Sequence, residues 1–515
     1  MGILGYCDCM NYKHKVVSNM VYNFLGLVSA YVAGYIFWII LGKFLLPDEY
    51  GLVSFFIALY TFVLPFAMVG LKQTIEKIIP TSQLRNKKCN VRDNISFSLK
   101  VTTIASTVLG VVAVGSIIMF GSYFGISQND ITLFYIFVPM LVFGSLVQVL
   151  HGCLIGLQKF KEFFISNLVG NSFKIIITIL LLYLLYGTCG PIIGFLVGFF
   201  VSFIFMLYYV YKDIPRKVNI IDKKDIFSYG KFAMTSGMFM FVLLQGPLIY
   251  LPLLADMETL AFFRIAVLFG MVVQLPAMIL LTGLIPTVSS FWIEKKYNRV
   301  ASLINMSIKY VLILTIPATI VIMMFSTTIL SLVYRVEYLP AVSYINSYLL
   351  GSVLWSIFFL ASNFLFYIGD PKKLFKLTFI AAAVNILFTM TMIPIYGGVA
   401  ASDGFLVSQI IASSVAIYYI RKKIGISIKI PLRIFVSSII FFILIFSVNI
   451  YMSTYFQKII FISISYIIYF ITLLKFKVFN MDDVKFLDSI PKYPILDKFK
   501  NCVKKSILYE IGDSK

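Results

Sequence analysis

Apolar runs of about twenty residues, each closed by charge, proline or glycine, follow one another along almost the whole chain, and no other feature restricts the fold as much. A helix needs roughly 20 mostly apolar residues to cross the ~30 Å hydrocarbon layer of a bilayer. The runs lie near 19–44, 52–71, 98–121, 131–152, 163–186, 191–211 and 231–254, then near 260–284, 302–325, 341–368, 374–393, 399–420, 433–453 and 458–474. The pattern predicts an all-α polytopic membrane protein of about 14 transmembrane helices.

Hydrophobic residues make up 60% of the chain and charged residues 13%, against roughly 25% charged in a soluble domain. Lys and Arg number 43 against 22 Asp and Glu, a net +21. Such an excess suits nucleic acid, anionic lipid or membrane topology, and position decides among them. No stretch between the runs is long enough to fold as a soluble nucleic-acid-binding domain, so no nucleic-acid partner is expected. Cytoplasmic loops retain Lys and Arg. With the N-terminus inside, Lys77, Arg85, Lys87, Lys88 and Arg92 share one inner loop, Arg216, Lys217, Lys223 and Lys224 another, and Arg421–Lys423 close the last. Counting both ends and the inner helix termini, every Lys and Arg except Lys43, Arg264, Arg335 and Lys458 falls inside. The expected location is the cytoplasmic membrane, with both termini cytoplasmic and the basic loops also meeting anionic lipid.

Cys7, Cys9, Cys89, Cys153, Cys189 and Cys502 form no CxxC pair, and the histidines are His14 and His151, so no metal or redox cofactor is expected. The opening Met-Gly lacks the Ser or Thr of an acylation signal, because Tyr6 stands there. The first run ends in Leu46-Pro47-Asp48 without a small-residue cleavage site and reads as a retained signal anchor. A Walker-type phosphate loop is missing, which leaves a coupling ion, a substrate gradient or a partner as the energy source for any transport.

The two halves of the chain echo each other. Tyr186-Gly187 and Gly194-Phe195-Leu196-Val197 recur as Tyr396-Gly397 and Gly404-Phe405-Leu406-Val407, Leu46-Pro47-Asp48 as Leu254-Ala255-Asp256, and Pro65 as Pro276, all at nearly one offset. Two six-helix lobes in parallel repeat follow, with two helices appended. The boundaries are a cytoplasmic N-terminus 1–18, a first lobe 19–211, a cytoplasmic linker 212–230, a second lobe 231–420, helices 13 and 14 over 433–474, and a cytoplasmic tail 475–515.

Three stretches resemble the polysaccharide-export flippases of the multidrug/oligosaccharidyl-lipid/polysaccharide exporter superfamily. They are Leu46-Pro47-Asp48-Glu49-Tyr50-Gly51-Leu52; Ile368-Gly369-Asp370-Pro371-Lys372 with Val384-Asn385-Ile386 and Ile393-Pro394-Ile395-Tyr396-Gly397; and Phe263-Arg264 through Pro276 to Leu284-Ile285-Pro286 and Ser289. The likeness covers most of the chain from Asn19 to about Gly425. Two departures stand out. Gln245-Gly246-Pro247 and Leu251-Pro252 interrupt the seventh helix where a kink or unwinding is expected, and Ala401-Ser402-Asp403-Gly404 replaces a run of small residues, which puts close packing at the start of helix twelve in doubt.

The resemblance implies a non-enzymatic transporter that moves a lipid-linked glycan across the membrane, with membrane lipid and glycan-assembly proteins as partners. An ionisable residue at depth is costly, roughly 2.5 to 3.5 kcal/mol, and is a functional candidate for that reason. Arg264, one to two turns inside the outer end of its run, suits a phosphate through its fork of donors, unless it snorkels or pairs with Asp256 or Glu258. Lys72 stands four residues before Glu76, a spacing that also makes an ordinary helix-surface pair. Lys174 lies one to three turns into its run, where snorkelling toward the cytoplasm is the alternative. Asn23, Gln148, Gln245 and Gln274 either line a hydrated path or tie neighbouring helices together. Asp48 and Glu49 read as helix-start residues.

Two other functions compete. A multidrug cation antiporter of the same superfamily generally needs an embedded carboxylate, and the first run has no Asp or Glu; a membrane glycosyltransferase or polymerase needs a substantial polar loop, and the outer loops are short. The topology is checked by restoring single cysteines to a Cys-free variant. An impermeant maleimide on sealed cells should label Cys189 and spare Cys89; labelling of Cys89 would invert the assignment.

Overall fold

The computed structural model describes residues 22, 25, 26, 28–72, 74–76, 79, 91–212, 239–368, 370–424, 432–452, 454–479 and 483. Asn23, Cys89, the 1–18 terminus, nearly all of the 212–230 linker and the tail beyond 483 lie outside them. The described residues are helical throughout, joined by short turns. The membrane-crossing helices are α1 (Val28–Phe44), α2 (Pro47–Met68), α3 (Val91–Phe120), α4 (Phe137–Gly156), α5 (Phe160–Tyr183), α6 (Cys189–Lys212), α7 (239–245 continuing as Pro247–Leu254), α8 (Met257–Ile293), α9 (Tyr297–Val333), α10 (Ala341–Tyr367), α11 (Pro371–Tyr396), α12 (Ala400–Ile424), α13 (Leu432–Tyr451) and α14 (Tyr455–Lys475). Among the described residues eleven stretches are long and apolar enough to cross a membrane, α11 and α12 forming one of them, and the helices follow the order of the apolar runs. The largest difference is in length. Both α8 and α9 have 37 residues, ~55 Å at 1.5 Å per residue, so each outruns the hydrocarbon, and hydropathy had marked only the part inside it.

Hydrocarbon rewards no burial of apolar side chains, so these helices associate through close backbone approach. On α5, Ser166, Gly170, Lys174 and Thr178 are buried at four-residue spacing, facing Gly194, Gly198 and Ser202 on α6. A Cβ on Gly198 would sit 2.8 Å from the Cβ of Lys174 and 2.9 Å from the Gly170 carbonyl oxygen. The second half repeats the device. A Cβ on Gly194 would strike the Thr178 hydroxyl, and one on Gly404 would strike that of Thr389. Close packing at the start of α12 is thus present, with Ala401 and Ser402 fully buried, contrary to the expectation from the departing sequence. The α2–α4 contact puts Tyr60 over Gly144, and the equivalent α8–α10 contact exchanges large for small, with Gly270 under Tyr348 and Ser352.

The turn before α2 is built as its residues require. Pro47 opens the helix, where a missing N–H costs nothing, and the Glu49 carboxylate accepts the Leu46 N–H at 3.0 Å. At the start of α8 the Asp256 carboxylate accepts the Thr259 N–H at 2.7 Å. These two repeat-related starts pack together, since a Cβ on Gly51 would overlap the carbonyl oxygen of Met257. At α7 the expected break is a single turn residue, Gly246, whose φ of −54° and ψ of −45° keep the chain nearly helical.

The chain divides into two compact units. The first comprises Met1–Ile265, Ser331–Ala341 and Thr378–Gly404, and the second Ala266–Leu330, Val342–Leu377 and Phe405–Lys515. In the second unit α13 and α14 form a hairpin, with Phe441 of α13 meeting Tyr466 and Tyr469 of α14 at 5.0 and 5.3 Å. Gly51→Val should cost about 1–3 kcal/mol as an overpacked contact, read as lower thermal stability in detergent. Gly34→Ala, where no atom lies within 4 Å, should change little. Equal stability of both variants would show the Gly51 contact to be slack.

Candidate functional site

The candidate site begins with two adjacent aromatic residues near the end of α1. Phe37 and Trp38 are buried, and their rings meet edge to face at 5.4 Å. Each carries a cation. The Arg264 guanidinium lies 4.3 Å from the Trp38 ring centre, and its Nη1 donates to Oε1 of Gln245 at 3.2 Å. The Lys174 ammonium lies 5.3 Å from the Phe37 ring and 4.8 Å from Phe195. Arg264 is 6% exposed and Lys174 8%. The helix ends fix the depth. Trp38 is six residues from Phe44, Lys174 nine from Tyr183, Phe195 six from Cys189 and Arg264 seven from Met257. By helix alternation these four ends lie on one side of the membrane, and the cluster sits ~9–14 Å along the helices from them.

Arg264 is buried against Trp38 and Gln245 rather than extended to the surface, and the Asp256 carboxylate accepts the Thr259 N–H. Lys174 is not at the near end of α5 but four turns in, in the far half of the helix, and the snorkelling alternative fails for it too. The reason is the α5–α6 seam, whose glycines leave room for its stem. The faces of Phe37, Phe195 and Trp38 attract a cation, worth ~2 kcal/mol or more when desolvated, and do so without neutralising it. An indole face and a neutral amide do not themselves cancel positive charge. Behind Trp38 the aromatic wall continues through Tyr50 at 5.1 Å to Tyr338 at 5.4 Å, whose hydroxyl donates to the Leu45 carbonyl at 3.0 Å.

Two other predicted residues meet at the opposite membrane side. Past α2 the chain turns through Val69 and Gly70, both at positive φ, and Lys72 then donates to Oε1 of Gln148 on α4 at 2.8 Å. One turn on, His151 stacks on Phe163 at 3.9 Å. Gln274, in the second unit, donates to the Ser352 hydroxyl at 3.2 Å and ties α8 to α10. The remaining cations set apart by the topology count also have local partners. Lys43 donates to the Leu332 carbonyl near the end of α9 at 2.9 Å, Arg335 pairs with Glu337, and Lys458 lies over Phe325. Asp370, from the second of the resembling stretches, forms a surface clamp. Asp370 receives Lys373 at 2.9 Å and Lys423 at 3.5 Å, and the Lys373 hydrogen bond above all holds its carboxyl below the usual range.

Sequence reasoning missed a buried ion pair in the second unit. Lys309 of α9 reaches both carboxylate oxygens of Asp483 at 2.6 Å, and the Tyr310 hydroxyl donates to the same carboxylate at 2.8 Å. The signal was a lysine inside the ninth apolar run. Its partner lies in a stretch read as plain polar tail.

Among the described residues no three His, Cys, Asp or Glu side chains gather as a metal site would require. The sequence pattern of the polysaccharide biosynthesis protein family matches residues 16–292, and that of the MatE family residues 232–391. A membrane protein of Methanocaldococcus jannaschii, "Uncharacterized membrane protein MJ1068", is 23% identical over 442 residues, which is 80% of this chain and 85% of that one. Among solved structures, the lipid II flippase MurJ in an inward closed conformation superposes with a TM-score of 0.69 at 19% identity, over 88% of this chain and 97% of MurJ. An inward-facing multidrug resistance MATE transporter gives 0.68 at 16% identity, over 78% and 98%. The chain is a transporter of the multidrug/oligosaccharidyl-lipid/polysaccharide exporter superfamily. Within it, the chain belongs to the polysaccharide biosynthesis protein family.

The buried ion pair supplies a stability test. Removing one partner of such a pair costs ~3–5 kcal/mol, whereas replacing both with apolar residues is often neutral. Asp483→Asn should therefore lower stability in detergent sharply, and Lys309→Met with Asp483→Leu should recover most of the loss. An Asp483→Asn variant as stable as the parent would show the pair to be dispensable.

Proposed function

We propose that this protein moves a lipid-linked oligosaccharide from the inner to the outer face of the cytoplasmic membrane, for assembly of surface polysaccharide or glycan. The observation that carries this reading is the Arg264–Trp38–Phe37–Lys174 cluster: two buried cations held by aromatic faces, at a depth where an anionic head group must pass. A lipid-linked sugar presents a phosphate or diphosphate, and the guanidinium fork binds two of its oxygens at once. Lys174 adds a second positive charge from α5. Lys72 and Gln148 supply a polar step near the inner face, and Gln245 orients Arg264. In the proposed cycle the lobes 19–211 and 231–420 rock to expose the path alternately, driven by a coupling ion, a substrate gradient or a partner. Both termini are cytoplasmic in this reading, and glycan-assembly proteins receive the product outside.

The MatE match and the MATE-like fold support a second reading, antiport of cationic drugs. The site disfavours it, because two buried cations repel such cargo and α1 contains no carboxylate.

Losing one partner of a desolvated charge contact costs at least ~2 kcal/mol, or more than about tenfold. Arg264→Gln should thus cut transport of lipid-linked oligosaccharide into liposomes by at least that factor at unchanged membrane abundance, and Arg264→Lys should restore part of it. Full activity in Arg264→Ala would make the residue structural. Exchange of ethidium-like cations for protons, with no movement of lipid-linked sugar, would establish the antiporter instead.

A further inference from the structure

A cavity of about 520 Å³ runs along α2 and α3 in the first unit. On α2 its wall is Phe55, Leu59, Phe62 and Phe66, steps of four, three and four residues that form one stripe ~16 Å long. On α3 the wall includes Val112, Ser116 and Phe120. Ser116 is the one polar residue among the lining side chains, and its hydroxyl is spent on the Val112 carbonyl at 2.9 Å. Val112 is 59% exposed and Phe120 51%, so the cavity opens sideways, into hydrocarbon.

Helix α7 joins this groove to the cationic site. Phe241, Gln245 and Ile249 follow one another at one-turn spacing. The Phe241 ring meets Phe62 of the groove at 5.4 Å, Ile249 lines the groove, and Gln245 between them accepts from Arg264. One helix face thus presents apolar, polar and apolar residues in register with a groove and a buried cation.

We infer that the α2–α3 groove binds the hydrocarbon chain of the lipid carrier while its phosphate lies at Arg264, so that head and tail are recognised by one site. The assignment rests on the flippase reading. The flippase reading supplies an isoprenoid chain that carries its own phosphate or diphosphate, and the α7 face that joins the groove to Arg264 suits such a molecule; a bulk phospholipid is the alternative occupant that the competition below separates.

The test uses full-length protein in nanodiscs and a single-chain isoprenyl diphosphate carrying a photoreactive group near the middle of its chain. Labelling is expected within residues 55–66 and 112–120. Unlabelled isoprenyl diphosphate should suppress it and phosphatidylglycerol should not, and Arg264→Gln should weaken it. Ala113→Trp, which fills the groove, should lower affinity for the long-chain diphosphate several-fold more than for a short-chain analogue with the same head, because the chain then clashes with the indole and loses its packing against the groove wall. Labelling elsewhere, equal competition by phosphatidylglycerol, or an unchanged chain-length preference in well-folded Ala113→Trp would overturn the groove assignment. If lipid-linked sugar still crosses liposomes in any of those cases, the flippase reading survives. If none crosses, both fall.

Discussion

Hydrocarbon offers no hydrogen bonds to the backbone or to charge. Each span must close its own amides and carbonyls, which makes it a helix, and apolar side chains gain nothing by leaving lipid for another helix. Association is left to shape, hence Gly170, Gly194 and Gly198 along the α5–α6 seam and Gly404 beneath Thr389. The same poverty governs the polar residues. A cation placed inside must bring its own solvent. Arg264 and Lys174 do so with aromatic faces, Lys309 with a carboxylate.

These two kinds of shelter differ in what they leave behind. Asp483 cancels Lys309, so that pair behaves as a structural tie between α9 and the segment after α14. Phe37, Trp38 and Phe195 stabilise positive charge and leave it in place. Burial alone does not reveal the difference. Both lysines are 8% exposed or less.

The all-helical class and the approximate number and order of the spans were legible because hydropathy reports directly on the solvent that most of the chain faces. The ends of α8 and α9 were not, because a helix that leaves the bilayer continues under ordinary propensity and hydropathy loses its grip there. Arg264 stood out as a lone arginine in an apolar run. Its cradle did not, since Trp38 in sequence is indistinguishable from an interfacial anchor. The depth of Lys174 was misjudged for a related reason: only the α5–α6 seam shows that its stem has somewhere to go. Gln148 and Lys72 lie 76 residues apart and meet through tertiary packing that no local pattern encodes.

The contact at Gly51 bears on how such a protein can be assembled from halves. The starts of α2 and α8 are related by the internal repeat, yet they meet as unlike surfaces, a notch on one and a projecting Met257 carbonyl on the other. Position 259, which answers to Gly51 at the repeat offset, is threonine. A side chain thus stands in the second half where the first half has none, so only the first half offers the bare backbone that the Met257 carbonyl overlies.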